Sequence, residues 1–326
     1  MNRELLEQTL ADLGQPAYRA RQVWERACAG AASYDEMTSL PKDLRARLTD
    51  RVPLSTLALA QRLEAHDGTV KALFRTDDGH PVESVLMRYR DGRHSVCIST
   101  QSGCALSCAF CATGTMRLNR NLTVWEILDQ ALQFRRSEPV SNAALMGMGE
   151  PMLNLDAVLA ACRLLPDLGV GNRHTAISTA GWVPGIDRLT AEDLHVRLAL
   201  SLHAPDDELR STLMPVNDRY PIAEVLAACE RFYARKRRKV FVEYVMLEGV
   251  NDSQDNARAL ARLLDPKIYK LNLIPYNPTG AFSGSSREAI ASFRRVLERS
   301  GLSATVRVGR GREIEAACGQ LTARAS

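Results

Sequence analysis

The stretch CISTQSGCALSCAFCATG, residues 97–114, decides how the rest of the chain is read. Cys97 to Thr100 ends a short apolar run with strand character, and three thiols follow at Cys104, Cys108 and Cys111 in a CxxxCxxC loop. Three thiolates satisfy three irons of a cubane 4Fe-4S cluster and leave the fourth iron free to chelate a substrate. The alternative is structural zinc, which usually takes four closed ligands with paired CxxC spacing. No partner CxxC pair exists in this chain, although Cys97 stands as a conceivable fourth ligand.

Upstream of this loop, residues 2–13 and 17–29 carry apolar positions at helical spacing (Leu5, Leu6, Leu10, Leu13; Val23, Trp24, Ala27), and Pro41 opens a third helix through Leu48. From Leu57 the pattern changes to four short strands punctuated by Asp67-Gly68, Asp78-Gly79 and Asp91-Gly92, dipeptides favoured by type I′ hairpin turns. Downstream, helices at 123–136, 154–166, 221–238, 252–264 and 285–299 alternate with apolar runs at 143–148, 175–179, 196–202, 240–246, 269–274 and 305–308. Thr123 with Glu126 and Ser285 with Glu288 read as capping boxes. Such alternation implies βαβ units and a parallel sheet with functional residues at the carboxyl ends of its strands. Polar clusters follow those ends: Gly149-Glu150, Ser178-Thr179, Ser201-Leu202-His203, Glu248-Gly249 and Tyr276-Asn277.

At 326 residues, 45% apolar and 25% charged, the chain can bury a large core. No apolar run approaches the roughly 20 residues of a membrane span, and the amino terminus is charged where a signal peptide would be apolar. A full-length cytoplasmic protein is expected, its eight cysteines too few for a disulfide scaffold. The net charge of +4 is weak evidence for an acidic partner; the run Arg235 to Lys239 reads first as a solvated helix end.

Several motifs narrow the reading: residues 82–114 as a block, MGMGEP (146–151), LSLHAP (200–205), LMPVNDRYP (213–221), GVNDS (249–253), NLIPYNP (272–278), AACGQL (316–321) and the early segment LGQPAYRARQVW (13–24). Together they resemble the RlmN and Cfr family of radical S-adenosylmethionine (SAM) RNA methyltransferases, over nearly the whole chain. The resemblance implies an α/β fold: a partial (β/α)6 radical SAM barrel in residues 97–326, an RNA-binding helical module in 1–55 and a β-hairpin extension in 56–96. It implies methylation of an adenosine in 23S ribosomal RNA, and of some transfer RNAs, at C2 as in RlmN, with C8 as in Cfr the alternative. The implied cofactors are one 4Fe-4S cluster and two SAM molecules per turnover, one giving the methyl group and one the radical. A monomer served by an external electron donor, such as flavodoxin or ferredoxin, completes the expectation.

Adenine C2 and C8 are amidine-type carbons too electron-poor to attack a sulfonium methyl group, so the chemistry needs a radical route and two cysteines outside the cluster. By resemblance, Cys318 carries the methyl group as S-methylcysteine, and Cys97 resolves the protein–RNA adduct, leaving a transient disulfide. Glu83 matches the family's proton acceptor. Gly149, Glu150, Ser178, Ser201, Leu202, His203 and Asn277 match its SAM contacts, and Phe110 a residue that lies against SAM. From the residues alone, Cys318 is equally a surface thiol near a terminus, Cys97 a buried strand residue and Glu83 a solvent-facing strand glutamate. Cys28, Cys162 and Cys229 sit on apolar helical faces and read as structural. Arg19, Arg21, Arg117, Arg120, Arg210, Arg219 and the 235–239 run are candidates to meet phosphates. The segment before Cys318, Val308 to Glu315, departs from the Arg-Gly-Asp-Asp-Ile-Asp-like string of RlmN enzymes, and Met87-Arg88-Tyr89 is nearer Cfr. Two rivals from other classes remain: a non-catalytic zinc-containing RNA-binding protein, and a radical SAM enzyme acting on a small molecule.

Overall fold

The computed structural model of the chain describes residues 1–322. The amino-terminal periodicity produces three helices, α1 (Arg3–Asp12), α2 (Tyr18–Cys28) and α3 (Lys42–Arg51), whose apolar stripes are buried at Leu6, Leu10, Val23, Trp24, Leu44 and Leu48. Trp24 fastens this module to the rest of the molecule. Its indole N–H donates to Asp167 Oδ2 at 2.7 Å, and its ring meets Trp125 edge-on at 6.1 Å.

Four strands follow: β1 (Leu57–Glu64), β2 (Val70–Thr76), β3 (Pro81–Arg88) and β4 (His94–Cys97), each antiparallel to the one before. The three Asp-Gly turns are not of type I′, which needs a left-handed residue at both central positions. Only the glycines, Gly68, Gly79 and Gly92, have positive φ; the aspartates do not. Each loop instead spans three residues: Tyr89 N–H donates to Arg93 O, and Gly92 N–H to Tyr89 O, with matching pairs at Ala65–Thr69 and Thr76–His80. The glycine takes the left-handed position that ends a type I turn in a bulge.

After β4 the chain makes a two-stranded clip, β5 (Gln101–Ser102) with β6 (Arg120–Asn121), around the cysteine loop. It then repeats strand and helix: α4 (Val124–Arg135), β7 (Asn142–Leu145), α5 (Leu155–Leu164), β8 (Thr175–Thr179), α6 (Val183–Ala191), β9 (Arg197–Ser201), α7 (Asp207–Leu213), α8 (Ile222–Lys236), β10 (Val240–Met246), α9 (Gln254–Leu263), β11 (Tyr269–Pro275), α10 (Arg287–Arg299) and β12 (Ala304–Val306). The sheet runs β1-β2-β3-β4-β7-β8-β9-β10-β11-β12, parallel from β4 onward. Six helices, α4, α5, α6, α8, α9 and α10, make the crossovers between its parallel strands. With β1 and β12 as free edges, this is the expected partial (β/α)6 barrel, extended on one side by the hairpins. The apolar runs of β9 to β11 are mostly buried, while β8 alternates, with Ala176 and Ser178 turned to the interior of the curl.

Thr123 and Glu126 form the expected capping box on α4. Ser285 does not cap α10; Ser286 does, accepting from Ala289 N–H at 3.1 Å, while Ser285 N–H bonds back to Met246 O. Helices α6 and α7 escape sequence periodicity for plain reasons. The first contains Pro184 and Gly185, poor helix formers, yet a Cβ on Gly185 would lie 2.5 Å from Met152 Cβ, so close packing demands the glycine. The second, at seven residues, is too short to show a period. Among the described residues no helix is long and apolar enough to cross a membrane.

Candidate active site

The sheet curls around a lumen of about 590 Å3 into which the carboxyl ends of the parallel strands and their loops project. Cys104, Cys108 and Cys111 stand on its wall, each half-buried. Two glycines shape their loop: a Cβ on Gly103 would meet Arg117 O at 2.0 Å, and one on Gly114 would meet Cys108 O at 2.6 Å. Ala109 N–H donates to Leu213 O, and Ala112 N–H to Gly319 O at 2.7 Å, tying the loop to α7 and to the Cys318 segment.

Burial raises all three thiols, Cys104 to about 11, and neighbouring thiols add to the rise at Cys104 and Cys108. Such a set becomes thiolate when cationic iron compensates the charge. Among the described residues no three His, Cys, Asp or Glu side chains gather tightly enough for one metal ion. Three thiols spread along one cavity wall suit a multi-iron cluster, whose ligands reach different irons.

Eleven more residues were expected here, and nine of them line the lumen: Cys97, Phe110, Gly149, Glu150, Ser178, Ser201, His203, Asn277 and Cys318. Gly149 has φ +91°, and a Cβ there would lie 2.5 Å from Gln101 Cβ. Glu150 is buried, its carboxylate accepting from Met152 N–H at 3.0 Å and Ala180 N–H at 2.8 Å; burial raises its pKa against these bonds. The hydroxyls of Ser178 and Ser201, on adjacent strands, are 3.5 Å apart. His203 accepts from Val245 N–H through Nδ1 at 3.0 Å and stacks edge-on with Phe110 at 4.6 Å. Burial, assisted by Arg210, lowers its pKa to about 3, so the ring is neutral with its proton on Nε2. Asn277 donates to Cys318 O at 3.1 Å and accepts from Arg312 Nε at 2.8 Å, holding the carboxyl-terminal segment over the lumen.

Cys97 and Cys318 are both free thiols. Cys318 is exposed on the lumen side, and partial desolvation by the surrounding protein pushes its thiol up to about 11. Burial pushes Cys97 up to about 12. Arg307 opposes both shifts and is the cation the two cysteines share.

Two expected residues do not reach the lumen surface. Leu202 turns its side chain into the core, and only its backbone is engaged, the carbonyl accepting from Arg210 Nε at 3.2 Å. Glu83 lies on the same face of β3 as the lumen-lining Val85 and Met87, but it is fully buried and paired with Lys71 Nζ at 3.3 Å. Around that face pack Leu73, Val85 and Met148, covered by Ala316 and Leu321 of the Cys318 segment. The solvent-facing reading of Glu83 is therefore overturned. So is a phosphate role for Arg210: it is fully buried, donating to Asn217 Oδ1 at 2.8 Å and Ala180 O at 2.6 Å. Arg120 is committed to Asp78 and Glu126. Cys28, Cys162 and Cys229 belong to the core as expected.

The motifs did not single out the charged pair inside the lumen. Arg307 Nη2 meets Glu243 Oε1 at 2.9 Å, and Asn272 donates to the same oxygen at 2.9 Å. Its one signal was a carboxylate between Val242 and Tyr244 in an otherwise apolar strand. Tyr89, also on the lumen wall, is flanked by the guanidiniums of Arg93 at 4.8 Å and Arg310 at 4.7 Å.

Comparison with known proteins bears on this arrangement. Residues 98–261 match the model of the radical SAM superfamily, and residues 1–53 that of the ribosomal RNA large subunit methyltransferase N-terminal domain. A probable dual-specificity RNA methyltransferase RlmN of Symbiobacterium thermophilum is 46% identical over all of this chain and 91% of its own length. The dual-specificity RNA methyltransferase RlmN of Geobacter sulfurreducens is 46% identical over 97% of this chain and 89% of its own. The crystal structure of a radical SAM methyltransferase from Sphaerobacter thermophilus superposes with a TM-score of 0.93 at 48% identity, covering 99% of this chain and 98% of that one. Radical SAM membership implies a 4Fe-4S cluster and SAM, for which the three cysteines and the lumen provide. With family models matching both the helical module and the barrel, and relatives this similar over nearly the whole chain, the chain belongs to the RlmN family of radical SAM RNA methyltransferases.

Proposed function

We propose that the chain methylates C2 of an adenosine in 23S ribosomal RNA, and of a transfer RNA, by way of S-methyl-Cys318 and a transient protein–RNA adduct. The observation that carries this reading is that Cys97 and Cys318 open on the same lumen as the three cluster cysteines. Cys104, Cys108 and Cys111 would hold the cluster, whose fourth iron and a bound SAM supply a hydrogen-abstracting 5′-deoxyadenosyl radical. Gly149, Glu150, Ser178, Ser201, His203 and Asn277 form the wall against which SAM lies, with Leu202 contributing backbone alone.

Cys318 first takes a methyl group from one SAM on its sulfur. The 5′-deoxyadenosyl radical from the second SAM takes one hydrogen atom from that methyl group, the S–CH2 radical adds to adenine C2, and the adduct gives up one electron, which the cluster would take back, leaving protein linked to RNA. Cys97 then attacks the Cys318 sulfur as a thiolate, the carbon–sulfur bond breaks, the electron pair stays with the carbon, which takes up a proton to become the product methyl, and a Cys97–Cys318 disulfide remains. Arg307 favours the thiolate of each. Glu83, paired with Lys71, takes the proton lost from C2, which requires the Ala316–Leu321 cover to lift. A monomer reduced by a flavodoxin or ferredoxin fits this scheme.

Replacement of Cys97 by alanine tests it. A covalent protein–RNA adduct should accumulate, and normal yields of free methylated RNA would reject the role. Mass spectrometry of RNA from a deletion strain reads the position: loss of 2-methyladenosine is expected, and loss of 8-methyladenosine instead would move the chemistry to C8.

A further inference from the structure

Because the strands from β4 onward are parallel, their amino ends share one rim of the barrel, opposite the cysteine loop. Arg93 before β4, His174 before β8 and Arg197 at the start of β9 line the lumen at that rim. Beside them is a separate cavity of about 290 Å3 lined by Arg173, His195, Lys236, Arg237 and Arg238. These come from three places, the turns before β8 and β9 and the end of α8.

Two carbonyls aim the cations: Lys236 Nζ donates to Glu192 O, and an Arg238 Nη to His195 O. The carboxylates acting on Lys236 are Asp193 and Glu192, and Glu192 is already paired with Arg163. Among the described residues none of Arg173, Lys236, Arg237 and Arg238 has an ion-pair partner. Burial and then Arg235 lower Lys236; burial, Arg197 and Arg173 lower Arg238. A helix carboxyl end attracts cations by its dipole, which explains Lys236 but not the convergence of Arg173 and His195 from other turns.

We propose that this cavity seats a backbone phosphate of the substrate RNA, away from the nucleotide that enters the lumen. Guanidiniums recognise phosphate through paired N–H donors, and a pocket of several suits a diester oxygen pair. The proposal rests on RNA being the substrate and not on the position methylated.

Arg237 provides a clean variant. It caps α8 with φ +54°, a conformation glycine prefers, so Arg237→Gly removes the charge while keeping or raising the melting temperature. Binding of a full transfer RNA and of a short hairpin holding only the target loop is measured by fluorescence anisotropy across a salt series, for the wild type, Arg237→Gly and Arg173→Ala. Full RNA should bind about fivefold more weakly per lost phosphate contact near 0.15 M salt, with the log–log salt slope shallower by about 0.7–0.9. The hairpin should bind as before. Unchanged affinity and slope for the full RNA would reduce the cluster to a helix end and overturn the proposal, as would equal losses for both RNAs. So would inorganic phosphate that binds in calorimetry and is lost in Arg237→Gly while RNA affinity stays intact. The position of methylation, read separately by mass spectrometry, is untouched by any of these outcomes.

Discussion

Arg307→Met separates the two halves of the charged pair in the lumen. Glu243 is 4% exposed, and of its contacts only the amide of Asn272 would remain on Oε1. Breaking a buried pair by removing one partner typically costs about 3–5 kcal/mol, because the other charge is left without compensation. The Arg307 side chain is 39% exposed to the lumen, so water there screens part of the effect, and about 2–3 kcal/mol is the expected loss. Glu243→Gln should cost less than about 1 kcal/mol, since the amide oxygen still accepts from both partners and the freed guanidinium faces the lumen. The asymmetry has a pH signature. Burial already raises the Glu243 pKa, and loss of Arg307 raises it further, whereas in the unfolded chain the carboxyl ionises in its ordinary range. Between those values the folded state holds the extra proton, so stability falls as pH rises. Urea denaturation of the cluster-loaded protein at pH 5.5 and pH 8 should show Arg307→Met nearly harmless at the lower pH and most damaging at the higher. Equal losses at both pH values, or a Glu243→Gln variant weaker than Arg307→Met, would refute the reasoning.

Gly149→Ala places a Cβ 2.5 Å from Gln101 Cβ at φ +91°; Gln101 must shift, and Glu150 N–H loses its partner. SAM affinity should fall at least about tenfold by equilibrium dialysis while iron content stays normal, and unchanged SAM binding would contradict the placement of this turn. For His203, whose folded pKa of about 3 lies below the ordinary value, stability is present above about pH 6.5 and is lost as pH falls toward the folded pKa. A His203→Gln variant should show a shallower loss of stability between pH 7 and pH 5 than the wild type, and identical slopes would remove the histidine from the account.

The barrel was legible because its strands are apolar runs separated by capped helices, and period and length together distinguish the two. Glycine and proline hid α6, where packing against Met152 overrides helix propensity. The Asp-Gly pairs announced hairpins correctly but not their loop type, which depends on whether the preceding residue also turns left-handed. At the site, the CxxxCxxC spacing of Cys104, Cys108 and Cys111 is a local signal, whereas Cys97 and Cys318 stand 221 positions apart, and only the curl of the sheet brings both to one lumen. Motif reading marks Leu202 and Glu83 without distinguishing a side chain from a backbone contact, or a lining residue from one covered by a neighbouring segment. Arg210 looked like any surface arginine in sequence; its burial is met by Leu202 O and Asn217 Oδ1 from flanking segments and by Ala180 O from the loop after β8.

The central claim is that the transferred carbon passes through a methyl group on Cys318 and loses a hydrogen before it reaches RNA. Turnover of RNA with SAM carrying a fully deuterated methyl group, followed by mass spectrometry of the methylated nucleoside, examines that passage directly. The account predicts a product methyl that has exchanged one deuterium for hydrogen and a deuterium recovered in 5′-deoxyadenosine. A product methyl that keeps every deuterium would mean direct transfer, and would contradict it.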